Sequence, residues 1–97
     1  MKLPELTHLQ FVVVNTLTDE PTLGSILRTS FAHYGSPFDS GPAFYQFMKR
    51  LEASNFIKGQ YDTHMHGKQI IRQRKYTLTK KGEKAIRDLK LFYAHFF

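Results

Sequence analysis

The chain has 97 residues, no cysteine and a formal net charge of +6 at pH 7. This length predicts one small domain spanning residues 1–97. The absence of cysteine excludes disulfides, thiolate chemistry and cysteine-based zinc sites.

The charge is unevenly distributed along the chain. Residues 1–48 contain two Lys or Arg and four Asp or Glu, a net charge of −2, whereas residues 49–97 contain twelve and four, a net charge of +8. A basic half indicates a polyanionic partner such as nucleic acid, although a solvated cationic face that aids solubility explains it equally well. No apolar run suits a signal peptide or a membrane span, so we expect no membrane partner and a cytoplasmic location.

Two helices are predicted in the acidic half. Residues 5–18 keep a helical period with Thr7 as a candidate N-cap, and their apolar residues cover nearly all sides, as in a buried or interfacial helix. Residues 22–34 predict a second helix capped by Thr22 and ended by a Gly-Ser-Pro turn. Its expected buried stripe consists of Leu23, Ile26, Leu27, Phe31 and Tyr34.

A third helix is predicted at residues 41–54. Ser40 suits its N-cap, Pro42 suits its first turn, and Asn55 suits the left-handed position at which the chain leaves it. One face is apolar and consists of Phe44, Phe47, Met48 and Leu51. The other faces carry aromatic, amide and cationic side chains. That chemistry suits a helix that reads DNA, and it is also found on many ordinary surface helices.

After this helix the hydrophobic period changes from 3.6 towards 2. Residues 56–61 and 69–78 predict two antiparallel strands joined by a polar tip at 62–68, so that 56–78 form a hairpin. Thr79 suits the N-cap of a last helix at 80–95. The fold class is therefore mainly α with a small β-hairpin (α+β), in the element order of a winged helix-turn-helix with an added C-terminal helix.

Two segments carry a resemblance to a known family. The sequence AFYQFMKRLEASNFI at 43–57, followed by RKYTLTKKG at 74–82, resembles the PadR family of winged-helix transcriptional regulators. The positions that match the family's recognition helix are Tyr45, Met48, Leu51 and Glu52, and those that match its return from the wing are Arg74, Lys75, Tyr76, Leu78, Thr79 and Gly82. The departures are Asn55 for Gly, Ser25 for Tyr and Thr77 for an aromatic. A MarR-like, ligand-responsive winged helix is a neighbouring alternative.

The residues and the resemblance together imply a sequence-specific double-stranded DNA-binding transcriptional regulator, a repressor acting as a homodimer on a palindromic operator. The expected DNA contacts are Ser40, Ala43, Tyr45, Gln46, Lys49 and Arg50 on the third helix and Lys68, Arg72, Arg74 and Lys75 on the wing. Tyr45 equally suits packing at the helix start, and Arg74 and Lys75 equally suit holding the hairpin. For Arg50 the alternative is that it turns back along the helix and supports the wing. No catalytic set and no phosphate-binding loop is present, so neither an enzyme nor a cofactor is expected.

A homodimer is expected because one small domain contacts too few bases to define a unique site. The residues expected at its interface are Phe11, Val14, Leu89, Phe92, Tyr93 and Phe96. The apolar stripe of the last helix equally suits packing on the chain's own first helix. We expect both, with the start of the stripe packed internally and its aromatic end packed with the first helix across the two-fold axis. The resemblance also implies a small apolar effector near that interface, in a space that Phe11, Val14, Phe92 and Phe96 would line.

Two other functions remain open. His64 and His66 at the predicted hairpin tip suggest a metal-binding module, but two imidazoles lack the further ligands of a closed site, so no metal is expected. A winged helix that binds proteins and not DNA is the second alternative, because a fold does not by itself prove a function. That alternative predicts that charge reversal at Lys49 and Arg74 leaves function unchanged.

Overall fold

Four helices and a three-stranded antiparallel sheet make up the described part of the chain, residues 3–97 of the computed structural model. The helices are α1 (His8–Thr16), α2 (Gly24–His33), α3 (Gly41–Ala53) and α4 (Lys80–Phe96), and the strands are β1 (Thr22–Leu23), β2 (Ile57–His66) and β3 (Gln69–Leu78). The strand order is β1-β3-β2. The predicted α+β class and the winged element order are confirmed.

Side-chain caps set the starts of three helices, as predicted. Thr7 and Gln10 form a reciprocal capping box, Ser40 Oγ accepts the Ala43 N–H, and Thr79 Oγ1 accepts the Gly82 N–H. Since Thr7 is the cap, α1 begins at residue 8 and ends at 16, so the predicted range of 5–18 was too long. The residues before the cap lie outside the helix because the capping box turns the chain there.

The start of α2 was predicted wrongly. Thr22 and Leu23 are not a cap and a first turn but a short strand, paired with Tyr76 and Lys75 of β3. The cap position is Leu23, which makes no side-chain capping bond, and the helix begins at Gly24. A strand of two residues shows no period in the sequence, and only the exposed edge of β3 makes it a strand.

The buried stripe of α2 is narrower than the sequence indicates. Leu27 is buried, but Ile26 is 57% exposed and Tyr34 is 87% exposed. Leu27 and Phe31, four residues apart, keep one narrow face of the helix on the core. The helix ends at residue 33, so Tyr34 leaves the packed face. We correct the predicted core by removing Ile26 and Tyr34.

The paired strands of the hairpin are longer than the sequence predicted. Asn55 has φ = 65°, as predicted, and turns the chain from α3 into β2. The two strands then pair along their whole length, from Ile57 opposite Leu78 to His66 opposite Gln69. The tip is therefore only the two-residue turn at 67–68, where Gly67 has φ = 65°, and the predicted polar tip at 62–68 was wrong. Its residues are polar because the hairpin is solvated.

One hydrophobic core joins the helices to the base of the hairpin. It consists of Val13, Val14, Leu17, Leu27, Phe44, Met48, Leu51, Phe56, Ile57, Tyr76, Ala85 and Ile86. The apolar face predicted for the third helix supplies three of these side chains. Its opposite face is thereby turned to solvent. Within residues 3–97, no helix is both long and apolar enough to cross a membrane.

Candidate nucleic-acid interface

The solvent-facing side of α3 groups the polar side chains that the sequence singled out. Gln46, Lys49 and Arg50 are exposed, and together with Ala53 they border one shallow surface. Their spacing of three and four residues places them on one helix face, opposite the buried Phe44. This face therefore presents an amide and two cations that no other part of the fold covers.

The residues at the start of α3 are used for capping and packing. The Ser40 hydroxyl accepts the Ala43 N–H at 3.2 Å, so its oxygen is occupied as a cap. Ala43 is half-buried. The Tyr45 ring lies 5.1 Å from the Phe44 ring. Its Cε1 atom would be only 3.0 Å from a Cβ placed on Gly24, so the ring packs closely on α2. Tyr45 thus packs at the helix start, which was one of its two predicted roles.

A groove runs between α3 and the hairpin. Its walls are Tyr45, Lys49, Glu52 and Ala53 from α3 and Tyr61, Arg72, Arg74 and Tyr76 from β2 and β3. Lys49 and Ala53 border both this groove and the exposed helix face. The helix face and the hairpin face therefore form one continuous surface, which we call the helix–wing surface. Tyr61 and Glu52 belong to it but were not among the predicted contact residues.

An ion pair fixes the wing to α3. Arg74 Nη2 donates to Glu52 Oε1 at 2.5 Å, and the two side chains are only 27% and 18% exposed. Gly59, on β2, makes this contact possible, because a Cβ there would overlap the Glu52 carboxylate. It is Arg74, and not Arg50, that joins helix to wing. Arg74, for which the sequence predicted either a DNA contact or support of the hairpin, thus holds the hairpin in place.

The surroundings of this pair shift two pKa values. Burial acts to lower the pKa of Arg74, but the hydrogen bond and charge of Glu52 outweigh it, so the pKa is raised. Burial also raises the pKa of Tyr76 to about 12, and the Glu52 carboxylate adds to that rise. Arg74 therefore stays cationic and Tyr76 neutral at every physiological pH.

The remaining cations of the wing differ in position. Arg72 shares a hairpin face with Arg74 because alternate strand residues point to the same side. Lys75 points to the other side, where its Nζ lies 3.3 Å from Asp62 Oδ2, so the structure does not bring it into the groove. Lys68 is exposed in the turn. Of the four predicted wing contacts, Lys68 and Arg72 keep a cationic group that no salt bridge within residues 3–97 occupies.

The two histidines of the hairpin lie in β2 and not in a loop. His64 Nδ1 is 3.9 Å from Asp62 Oδ2, and His66 stands opposite Gln69 beside the turn. Between residues 3 and 97, no three His, Asp or Glu side chains come together as metal ligands would. The predicted tip position of these histidines is corrected by the greater length of the strand.

Two of the residues predicted at a dimer interface are core residues. Val14 is fully buried and Leu89 is 5% exposed within the single chain, so neither has surface left for a second subunit or an effector. They are buried because α1 and α4 pack on each other. Phe11 is half-buried and its ring meets that of Tyr93 edge-on at 5.3 Å. The exposed aromatic surface begins further along α4, at Phe92 and Phe96.

Glu52→Gln should weaken the fold at the helix–wing contact. The amide keeps the shape and one acceptor oxygen but loses the charge that compensates the sheltered Arg74. We expect a loss of about 1–2 kcal/mol in the free energy of unfolding, measured by urea titration. The control is Lys75→Gln, which breaks the less sheltered pair with Asp62 and should cost only about 0.5 kcal/mol. Equal losses for both variants would contradict the role of Glu52.

Comparisons with known proteins agree with the architecture. The helix-turn-helix formed by α2 and α3, followed by the β2–β3 wing, defines a winged-helix protein. No protein-family model and no curated protein sequence matches this chain. Solved structures do match. A PadR-like transcription factor from Bacteroides fragilis superimposes with a TM-score of 0.72 at 18% identity, covering 91% of this chain and 82% of that one.

Two further structures extend the comparison. A PadR family transcription regulator from Clostridium difficile gives a TM-score of 0.71 at 21% identity, over 93% of this chain and 91% of that one. PadR from Bacillus subtilis, solved in complex with operator DNA, gives 0.65 at 20% identity, over 89% of this chain and 48% of that one. The chain thus has the winged-helix fold of PadR-like transcription regulators, and the predicted resemblance is confirmed at the level of the fold.

Proposed function

We propose that the protein is a sequence-specific double-stranded DNA-binding transcription regulator, acting as a homodimeric repressor in the cytoplasm. The observation that carries this proposal is the helix–wing surface, on which the exposed face of α3 and the hairpin meet at Lys49. A helix and an adjacent cationic ribbon on one side of a molecule suit the grooves and backbone of a duplex. The similarity to a PadR that was solved with operator DNA supports the same reading.

The α3 helix is the reading element in this proposal. Its width fits the major groove, and its exposed face would meet base edges there. Gln46 suits a bidentate contact with adenine, and Lys49 suits guanine or a phosphate. Ser40 and Tyr45 each retain a hydroxyl proton for a phosphate oxygen. Arg50, exposed on the same face, adds a further cation for the backbone.

The wing supplies electrostatic contacts. Lys68 in the turn and Arg72 on the groove side of β3 are the cations available to phosphates. Arg74 affects DNA binding indirectly, because its charge pairs with Glu52 and holds the wing against α3. Loss of Arg74 would therefore weaken DNA binding through the position of the wing.

Selection of bound duplexes from a random pool tests the proposal. We expect enrichment of an inverted repeat, whose two halves match a two-fold protein. Binding to the selected duplex should weaken steeply as salt is raised from about 50 to 200 mM, because counterions are released from the DNA. A pool without enrichment, or an affinity that does not change with salt, would contradict it.

The homodimer would form through the last turns of α4. Leu91, Phe92 and Phe96 are exposed there, and the Phe92 and Phe96 rings lie 4.9 Å apart. Val12, on α1, is also exposed. Neighbouring exposed aromatic side chains such as Phe92 and Phe96 are typical of protein–protein contacts. These side chains replace the buried Val14 and Leu89 in the proposed interface.

The double substitution Phe92→Asp and Phe96→Asp should convert the dimer to a monomer. Two carboxylates would have to be desolvated in the interface, whereas both positions are exposed in the single chain. Sedimentation at micromolar concentration should show the wild type as a dimer and the variant as a monomer. Ile26→Asp, at an exposed apolar residue of α2, is the control and should remain dimeric. A wild type that sediments only as a monomer would contradict this interface.

A further inference from the structure

Two guanidinium groups lie against one tyrosine ring on the groove side of the wing. The Cζ atoms of Arg72 and Arg74 lie 4.3 Å and 4.6 Å from the centroid of the Tyr61 ring. The register explains the arrangement, because Tyr61 stands directly opposite Arg74 and diagonally to Arg72 on one hairpin face. Both distances are within the range of a cation–π interaction.

The two arginines differ in what else they contact. Arg74 also donates to Glu52, so its guanidinium has two partners within the chain. Arg72 is exposed, and within residues 3–97 no carboxylate forms a salt bridge with it. The chain therefore fixes one arginine structurally and leaves the other charged, uncompensated and resting on an aromatic ring. Arg74 is therefore a structural cation, whereas the charge of Arg72 is available to a ligand.

We propose that Tyr61 is a positioning residue that holds the Arg72 guanidinium in place, ready to contact a DNA phosphate. This inference rests on the proposed DNA-binding function and adds a role for a residue that the sequence did not single out. A free arginine side chain loses considerable rotamer entropy when it binds, and a side chain already ordered on a ring loses less. The Glu52–Arg74 pair supports the ring from the helix side, so the order extends from α3 through Tyr61 to Arg72.

A double-mutant cycle on the 97-residue protein and the selected duplex tests this role. Tyr61→Leu removes the ring and should weaken DNA binding about two- to fivefold. Tyr61→Phe keeps the ring and should bind within about twofold of the wild type. Arg72→Ala should weaken binding at least as much as Tyr61→Leu, and the double variant should bind no more weakly than Arg72→Ala alone. Thermal melting of each variant identifies any loss caused by unfolding.

Tyr34→Leu is the control, since Tyr34 is also exposed to solvent, at 87% against 59% for Tyr61, but within residues 3–97 no Lys or Arg lies over its ring. It should leave DNA affinity unchanged. Additive losses in the double variant, or a Tyr61→Phe variant as weak as Tyr61→Leu, would overturn the positioning role while the DNA-binding function stands. A wild type that binds no duplex would overturn the function itself and this role with it.

Discussion

Gly82→Ala should lower the free energy of unfolding by about 2–3 kcal/mol, in the opposite direction from the usual effect of this substitution. Inside a helix, alanine is ordinarily more stable than glycine by about 1 kcal/mol. At this position, however, the new Cβ would overlap the carbonyl oxygen of Phe56 and lie 2.8 Å from Leu78 Cδ1. Backbone cannot rotate away as a side chain can, so α4 would have to move off the junction between α3 and β2.

That junction holds several elements together at once. Phe56 is buried, and its carbonyl accepts a hydrogen bond from the Thr79 hydroxyl at 2.9 Å, while the same hydroxyl caps α4. Displacing the helix start would therefore weaken the cap and the core together. Thermal melting should show a fall of roughly 10 °C or more.

The control for this prediction is Gly41→Ala. Gly41 is also helical, but a Cβ there would meet only the guanidinium end of Arg28, a flexible side chain. We expect a change within about 0.5 kcal/mol for that variant. A Gly82→Ala protein as stable as the wild type, or more stable, would contradict the close approach of α4 to residue 56.

The combined substitution Gln46→Ala and Lys49→Ala should weaken binding to the selected duplex by roughly 100-fold. Each base contact of this kind contributes about 1–3 kcal/mol, and both side chains lie on the exposed face of α3. Stability should not change, because neither side chain is part of the core. Gln46→Ala alone should also relax the sequence preference at one position of each half-site, whereas Lys49→Ala should reduce the salt dependence if it meets a phosphate.

Lys90→Ala is the matched control for the loss of a cation. Lys90 is exposed on α4 and does not border the helix–wing surface. Its loss should change the affinity by less than about twofold, through net charge alone. Affinity measured by fluorescence anisotropy at fixed salt distinguishes the two variants. A control variant as weak as the α3 variant would show that binding depends on overall charge and not on this helix.

Local chemistry explains why the helices and the returning strand could be predicted from the sequence. Thr7, Ser40 and Thr79 cap their helices through their own hydroxyls, and Asn55 adopts the left-handed conformation its amide side chain tolerates. The third strand was predicted at the residues it occupies, since β-branched and aromatic residues fill it. These signals depend on neighbours within a few residues.

Features set by distant partners could not be predicted in the same way. Thr22 and Leu23 are a strand only because β3, more than fifty positions later, presents an open edge. Val14 and Leu89 looked available for a partner, but packing of α1 on α4 buries them. The contact of Tyr61 with two arginines depends on hairpin register, which a tip predicted seven residues long had obscured. A two-residue turn at 67–68 implies the register that places Tyr61 opposite Arg74.

Amide chemical-shift perturbation on titration with the selected duplex tests whether α3 and the wing contact one duplex together. We expect shifts in α3, at Gln46 and Lys49, and in the wing, at Lys68 and Arg72, to develop in parallel and to saturate at the same DNA ratio. Lys90 on α4 should serve as an unperturbed reference. Shifts confined to α4, to α3 alone or to the wing alone would contradict joint binding of one duplex by α3 and the wing.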